Sequence, residues 1–258
     1  MQLAFERTGS GPALLLIHGI TESRRTWDPL IPALAEHYDV LSIDLRGHGE
    51  SPTGDAYDPL TFASDVAETF AATFAEITAG PGVTGPLVVG HSLGGIVASA
   101  FAAVARPRGV INVDQPLRLA DFKAGLTQLE PMLRGDVESF TTAIELVFQS
   151  MMGPLDAGET DRVRSLRRAD QTVVLGVWGT VFESTAEELD ATVTALAGAI
   201  TVPYLSLHGI DPGQDYTQWL RTKVPSATVE VWPDQGHYPH LVHPGRFVER
   251  LIDFDSLR

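Results

Sequence analysis

Six apolar runs of strand length punctuate the chain: ALLLI (13–17), VLSID (40–44), PLVVG (86–90), GVINVD (109–114), VPYLSLH (202–208) and TVEVW (228–232). A strand with one face in water alternates apolar and polar residues. Uninterrupted runs instead demand a sheet covered on both faces, as parallel sheets are. Segments of helical period lie between them, near 26–37, 61–78, 92–104 and 244–254. This repeated β-α order predicts an α/β fold, a mostly parallel, doubly wound sheet with helices on both faces. The alternation breaks once, because the connection from Asp114 to Val202 far exceeds an ordinary crossover. Within it, ADFKAGLTQLEPMLRG, DVESFTTAIELVFQSMM, TDRVRSLRRADQTVVLGVWGTVF and TAEELDATVTALAGA carry apolar residues at helical spacing, punctuated by Gly153, Pro154 and Gly158. Residues 117–200 are therefore expected to form a helical cap between two parts of one core, 1–116 and 201–258. Such a cap would roof the carboxyl edge of the sheet, where open α/β folds bind ligands.

Charge and composition narrow the partners. A formal charge of −15 argues against nucleic acid, whose phosphates require a basic surface. The basic group Arg162, Arg164, Arg167 and Arg168 reads as a solvated helix face. No run reaches the roughly 18 to 20 apolar residues of a membrane span, and MQLAFERTGSG does not resemble a secretory signal. The chain has no cysteine, which removes disulfides, thiol nucleophiles and zinc-thiolate sites and favours a reducing compartment, so the cytoplasm is the expected location.

The segment GPLVVGHSLGG (85–95) runs a strand into a serine set between glycines and then into a helix. It fits G-x-S-x-G at Gly90, Ser92 and Gly94, a turn that holds a serine hydroxyl outward at the sheet edge. A serine is a poor nucleophile at neutral pH unless a base lies within hydrogen-bond reach and donors await the oxyanion it creates. DQGHYPHLVHPGRF offers the base: His237 follows the last strand on a glycine-set turn, whereas His240 and His243 lack that setting. For the oxyanion, the turn His18, Gly19 and Ile20 ends the first apolar strand, and the backbone N–H groups of Ile20 and Leu93 make a candidate two-donor hole.

With these motifs in this order, HGI, SIDLRGHGES (42–51), GHSLGG and DQGHYPHLVHPGRF, the chain resembles the α/β-hydrolase superfamily over essentially its whole length. The resemblance implies an α/β-hydrolase fold with a cap insertion, and in the SIDLRGHGES loop it leaves Asp44, Arg46 and His48 to brace the loop near the site. It also implies a triad acid, and here the chain departs from the common pattern. The usual position, three residues past the glycine of VPYLSLHGI, is Pro212. Asp211 lies one residue early and Asp215 three late. A smaller group of the superfamily carries the acid after the preceding strand, which here is Asp114. Asp211 and Asp114 both stand as candidates, because both strand ends open on one crevice.

The function these features predict is a serine hydrolase, most specifically a carboxylic-ester hydrolase acting through an acyl-enzyme on small to medium apolar esters, without metal or organic cofactor. Phe140, Phe148, Met151, Met152, Trp178 and Phe182 are candidate pocket residues from the cap, with packing inside the cap as the competing role for each. Two further classes stay open. The segment DQPLRLADFKAGLTQLE resembles cofactor-free ring-cleaving oxygenases of this fold, so an oxygenase or C–C hydrolase is the alternative. A non-catalytic ligand receptor is the third.

Overall fold

The structure, a computed structural model, describes residues 1–75 and 85–256. Residues 76–78 of the predicted second helix, and 76–84 and 257–258 of the predicted core, lie outside the described residues.

Alternate residues of each apolar run serve different cores. Leu14, Leu16, Val40, Leu87, Val89, Ile111 and Val113 pack with Trp27, Leu34, Trp232, Phe247 and Leu251 on one face of the sheet. Leu15, Ile17, Leu41, Ile43, Val88 and Val110 pack with Phe62, Val66, Val97 and Phe101 on the other. Successive strand side chains point to opposite faces, so both sets must be apolar when both faces are covered. Burying each fully enclosed Leu, Ile or Val contributes about 1.5–3 kcal/mol before entropy is subtracted.

The strands are β1 (Phe5–Gly9), β2 (Ala13–Ile17), β3 (Asp39–Ile43), β4 (Leu87–His91), β5 (Gly109–Val113), β6 (Tyr204–His208) and β7 (Ala227–Val231). They form one sheet in the order β1-β3-β2-β4-β5-β6-β7. Only β1 is antiparallel, paired with β3, and the remaining neighbours run parallel. The chain winds outward from β2 to β3, then crosses back to β4 on the other side of β2. The switch point of the fold therefore lies between β2 and β4, with Ile17 in register with Gly90. Crevices open at such points at the carboxyl ends of the strands.

One sequence expectation needs correction, and one strand gave no sequence signal. The helix expected over 26–37 is only a 3₁₀ turn, Arg24–Trp27, and one α turn, Ile31–Leu34. Pro29 and Pro32 supply no backbone donors to continue a longer helix. Strand β1 had no apolar signal because, after the half-buried Phe5, its residues are exposed at the sheet edge. Longer helices, Pro59–Thr73 and Leu93–Val104, follow β3 and β4, and Pro244–Ser256 follows β7. Between β5 and β6 the described chain is helical: Leu119–Leu126, Val137–Met151, Ala157–Leu166, Gln171–Glu183 and Ala186–Ala197, with shorter turns between the first two. Asp136, Asp156, Asp170 and Thr185 each accept a backbone N–H at one of these helix starts, which fixes where the segment breaks. Among the described residues, no helix is long and apolar enough to cross a membrane.

Candidate active site

Ser92 stands between β4 and the helix Leu93–Val104 with φ 52° and ψ −124°, a conformation that non-glycine residues rarely adopt. Its N–H donates to the Val113 carbonyl (3.0 Å) and its carbonyl accepts from Gly95 N–H (2.7 Å), which anchors the turn on β5. The glycines around it are required by contact: a Cβ on Gly90 would lie 1.9 Å from the Gly94 oxygen, and one on Gly94 2.2 Å from the Ile17 oxygen. The turn after β2 also comes near, since a Cβ on Gly19 would lie 3.1 Å from Ser92 Cβ.

His237 follows β7 and is 6% exposed. Its N–H donates to the Met151 carbonyl (2.7 Å), so the end of the helix Val137–Met151 helps set the loop. Its Nδ1 donates to Asp114 Oδ2 at 2.7 Å. Asp114, at the end of β5, also takes a positive φ of 53°. Its other oxygen accepts the N–H groups of Gly209 (2.7 Å) and Ile210 (3.0 Å). Burial works against the Asp114 carboxylate, but these bonds and the histidine hold its pKa below the usual range. The loop after β6 thus contributes two backbone donors to an acid on the neighbouring strand. Asp211, on that loop, is exposed and accepts from Gly213 N–H (2.9 Å), while Asp215 pairs with Arg118 (2.7 Å). The structure brings Asp114 to the histidine, and neither of the other two.

Ser92, His237 and Asp114 border one cavity of about 330 Å³, with Ile20 and Leu93 beside the serine. Of the cap residues expected to line it, Phe148, Met151 and Trp178 do; Tyr57, Phe122, Val177 and Val181 join them. Phe140, Met152 and Phe182 do not. Phe140 and Phe182 are buried in the main core, and Met152 packs with Val163, Tyr238 and Leu241. On each helix the apolar stripe is wider than the cavity, so part of it meets other helices instead.

Side chains of the loop after β3 bond it to itself and to its neighbours. Asp44 pairs with the Arg24 guanidinium and accepts Arg24 N–H (2.7 Å) and Glu50 N–H (2.9 Å), Arg46 bonds Asp65 (2.5 Å), and His48 Nδ1 donates to the Arg46 carbonyl (2.9 Å). The basic helix face is less solvated than the sequence suggested. Arg162 bonds Glu159 and the Arg25 and Thr26 carbonyls, and Arg167 lies 4.0 Å over the Phe148 ring.

Against this geometry, the model of the alpha/beta hydrolase family matches residues 14–250. The chain belongs to the alpha/beta hydrolase family. Relatives include the pimeloyl-[acyl-carrier protein] methyl ester esterases of Chromobacterium violaceum, 28% identical over 98% of both chains, and of Aeromonas hydrophila, 29% identical over 98% of this chain and 99% of its own length. Among solved structures, an esterase from Thermogutta terrifontis superposes with a TM-score of 0.73 at 24% identity, covering 98% of this chain and 93% of its own. A hydrolase from Pseudomonas aeruginosa superposes with a TM-score of 0.75 at 22% identity, with the same coverage. These likenesses show the alpha/beta hydrolase fold, and esterases are among the relatives of this chain.

Three buried residues close in sequence to Ile20, Ser92 and His237 escaped the sequence reading: Glu22, His91 and Tyr238. Glu22 Oε1 accepts the Tyr238 hydroxyl (2.8 Å), and Oε2 faces His91 Nδ1 (3.4 Å). His91 Nε2 donates to the His237 carbonyl (2.8 Å). Both ring nitrogens thus face accepting groups, an arrangement that favours the imidazolium form. Burial works against that charge, yet the Glu22 carboxylate more than offsets it and the His91 pKa lies above its usual value.

Proposed function

We propose that this chain is a serine esterase that cleaves small to medium apolar esters through an acyl-enzyme, with Ser92 as nucleophile, His237 as general base and acid, and Asp114 as the acid of the triad. The observation that carries the reading is the 2.7 Å bond from His237 Nδ1 to Asp114 in the cavity that Ser92 borders. Asp114 fixes the imidazole so that Nε2 is free to take the serine proton, and it stabilises the imidazolium that follows. Ser92 Oγ then attacks the carbonyl carbon. The resulting oxyanion meets the N–H groups of Ile20 and Leu93, each worth about 3 kcal/mol of barrier. His237 returns the proton to the leaving alcohol, and the same histidine activates the water that releases the acid. In this reading the helices over 117–200 act as a cap, whose Phe122, Phe148 and Trp178 receive the apolar part of the ester. The esterase names of the relatives support ester hydrolysis as the reaction.

Turnover of p-nitrophenyl esters of rising acyl length, by wild type and Ser92→Ala, tests this reading. Hydrolysis strongest for short chains is expected, with a loss of about 10³-fold or more in the variant. A phosphonate should label Ser92 stoichiometrically. Unchanged turnover in Ser92→Ala would remove the serine from its role.

The position of Asp114 favours one second reading. A histidine paired with an acid after β5 is also the pattern of the cofactor-free oxygenases that this sequence resembles, in which it would deprotonate an aromatic hydroxyl. Oxygen uptake with a 3-hydroxy-4-quinolone, and no ester turnover, would select that reading.

A further inference from the structure

Each of the three segments that carry the proposed chemistry presents the neighbour of its key residue to one buried carboxylate. Gly19, before Ile20, donates its N–H to Glu22 Oε2 (3.2 Å). His91, before Ser92, faces the same oxygen (3.4 Å). Tyr238, after His237, donates its hydroxyl to Glu22 Oε1 (2.8 Å). His91 closes the ring with its bond to the His237 carbonyl (2.8 Å). These residues come from the ends of β2, β4 and the loop after β7, far apart in sequence, and Glu22 bonds all three.

Resting on the esterase reading, we propose that Glu22 is a positioning residue which, through His91 and Tyr238, holds the oxyanion turn, the serine turn and the histidine loop in one catalytic register.

Stability alone is a poor account of this arrangement. Glu22 is 3% exposed and His91 fully buried, and a buried ion pair is often matched or bettered by apolar residues of the same volume. What the pair supplies instead is direction. Short side chains and backbone groups at Gly19, Ser92 and His237 leave little slack, and an ångström of misplacement at a reacting centre costs about a hundredfold in rate. The surroundings reinforce the pairing. The His237, Tyr238 and His240 rings pack 4.6, 4.9 and 4.6 Å from His91, and the Arg167 guanidinium reaches the Tyr238 oxygen (3.4 Å), extending the chain of contacts to the helices between β5 and β6.

The test measures p-nitrophenyl butyrate kinetics for wild type, Glu22→Gln, His91→Gln, the double variant and Tyr238→Phe, each after a thermal melt and a phosphonate titration of competent serine. Glu22→Gln should lose about ten- to a hundredfold in kcat with KM held within about threefold, because orientation in the transition state is lost and the substrate pocket is not. The double variant should be no more than about threefold below the poorer single variant, since both changes break one unit. Tyr238→Phe, which keeps all charges, should lose a smaller share of kcat in the same direction, and it carries the test if Glu22→Gln does not fold. A folded Glu22→Gln with wild-type kcat, losses that multiply in the double variant, or a loss confined to KM would each overturn the proposal while leaving the triad in place. A wild type without Ser92-dependent hydrolysis would instead overturn the esterase reading, and this inference with it.

Discussion

Asp114 and Asp211 stand at the ends of neighbouring strands, and their surroundings predict opposite responses to the same isosteric change. In Asp114→Asn the amide no longer offers His237 Nδ1 a charged acceptor, and the imidazole can settle in the tautomer that cannot take the serine proton. We expect kcat to fall by up to about 10⁴-fold with KM nearly unchanged. In Asp211→Asn the bond to Gly213 N–H can be kept by the amide oxygen, and kcat should stay within about twofold. The reverse ranking in ester turnover, with both variants folded by thermal melting, would move the acid to Asp211. This choice was hidden in the sequence for a physical reason: both aspartates follow apolar strands that open on one crevice, and the deciding contact spans 123 positions of chain. Ser92 and His237 were legible because local rules reach them, a strained turn that needs glycine on both sides and a glycine-set loop after the last strand. Glu22, His91 and Tyr238 obey no local rule. Glu22 meets its partners 69 and 216 positions away, and only the folded chain joins them.

Elements were easier to read than their junctions. Five of the seven strands announced themselves because burial on both faces removes polar residues from them; β7, at one sheet edge with Thr228 exposed, still carried apolar residues, whereas β1 at the other edge needed none of that pattern. The helix over 26–37 failed because hydrophobic spacing alone does not register the missing donors of Pro29 and Pro32. One junction the sequence did not show joins the end of the helix Val137–Met151 to the histidine loop. Gly153 and Gly236 both take positive φ, 68° and 64°, and a Cβ on Gly236 would lie 2.5 Å from Gly153 Cα. With His237 N–H bonded to the Met151 carbonyl next to this contact, Gly236→Ala must either separate the two segments or twist the backbone that carries His237. The φ alone costs about 1–2 kcal/mol. We therefore expect a lower Tm together with at least about a tenfold loss of kcat. Gly125→Ala is the matched control. Gly125 is exposed in the helix Leu119–Leu126 with nothing within 4 Å of an added Cβ, and alanine there should raise stability by about 0.5–1 kcal/mol without touching the rate. Equal behaviour of the two variants would remove the junction from any role in holding His237.

At the scale of the whole molecule, buried titratable groups tie stability to pH. His18, His48, His208 and His240 are almost completely buried, and burial lowers the pKa of each, to about 4 for His48 and His208, from an ordinary value of 6.5. Between about pH 4 and 6.5 the unfolded chain therefore binds protons that the folded chain refuses, so stability rises with pH through this window and is lost as the solution is acidified. For His48 and His208 the loss from pH 6 to pH 5 is about 1 kcal/mol each. His91 has the opposite sign: its pKa is raised, so its contribution is present below 6.5 and disappears as pH climbs through the folded value. Its window lies above that of the other four, so it does not oppose their loss on acidification. Glu22 and Asp114, whose pKa values are depressed in the fold, add a second loss further down, as pH drops below the ordinary carboxylate range towards their folded values. Relief of the −15 net charge works against all of this on acidification, and about 0.15 M salt shortens its reach to about 8 Å. Thermal melts at that salt should give a Tm that falls steadily from pH 6.5 to pH 4. His48→Gln should flatten the slope by up to about 1.4 kcal/mol per pH unit once its own cost at neutral pH is subtracted. A Tm that stayed level or rose on acidification would mean that these histidines are charged, or reached by water, in the folded protein.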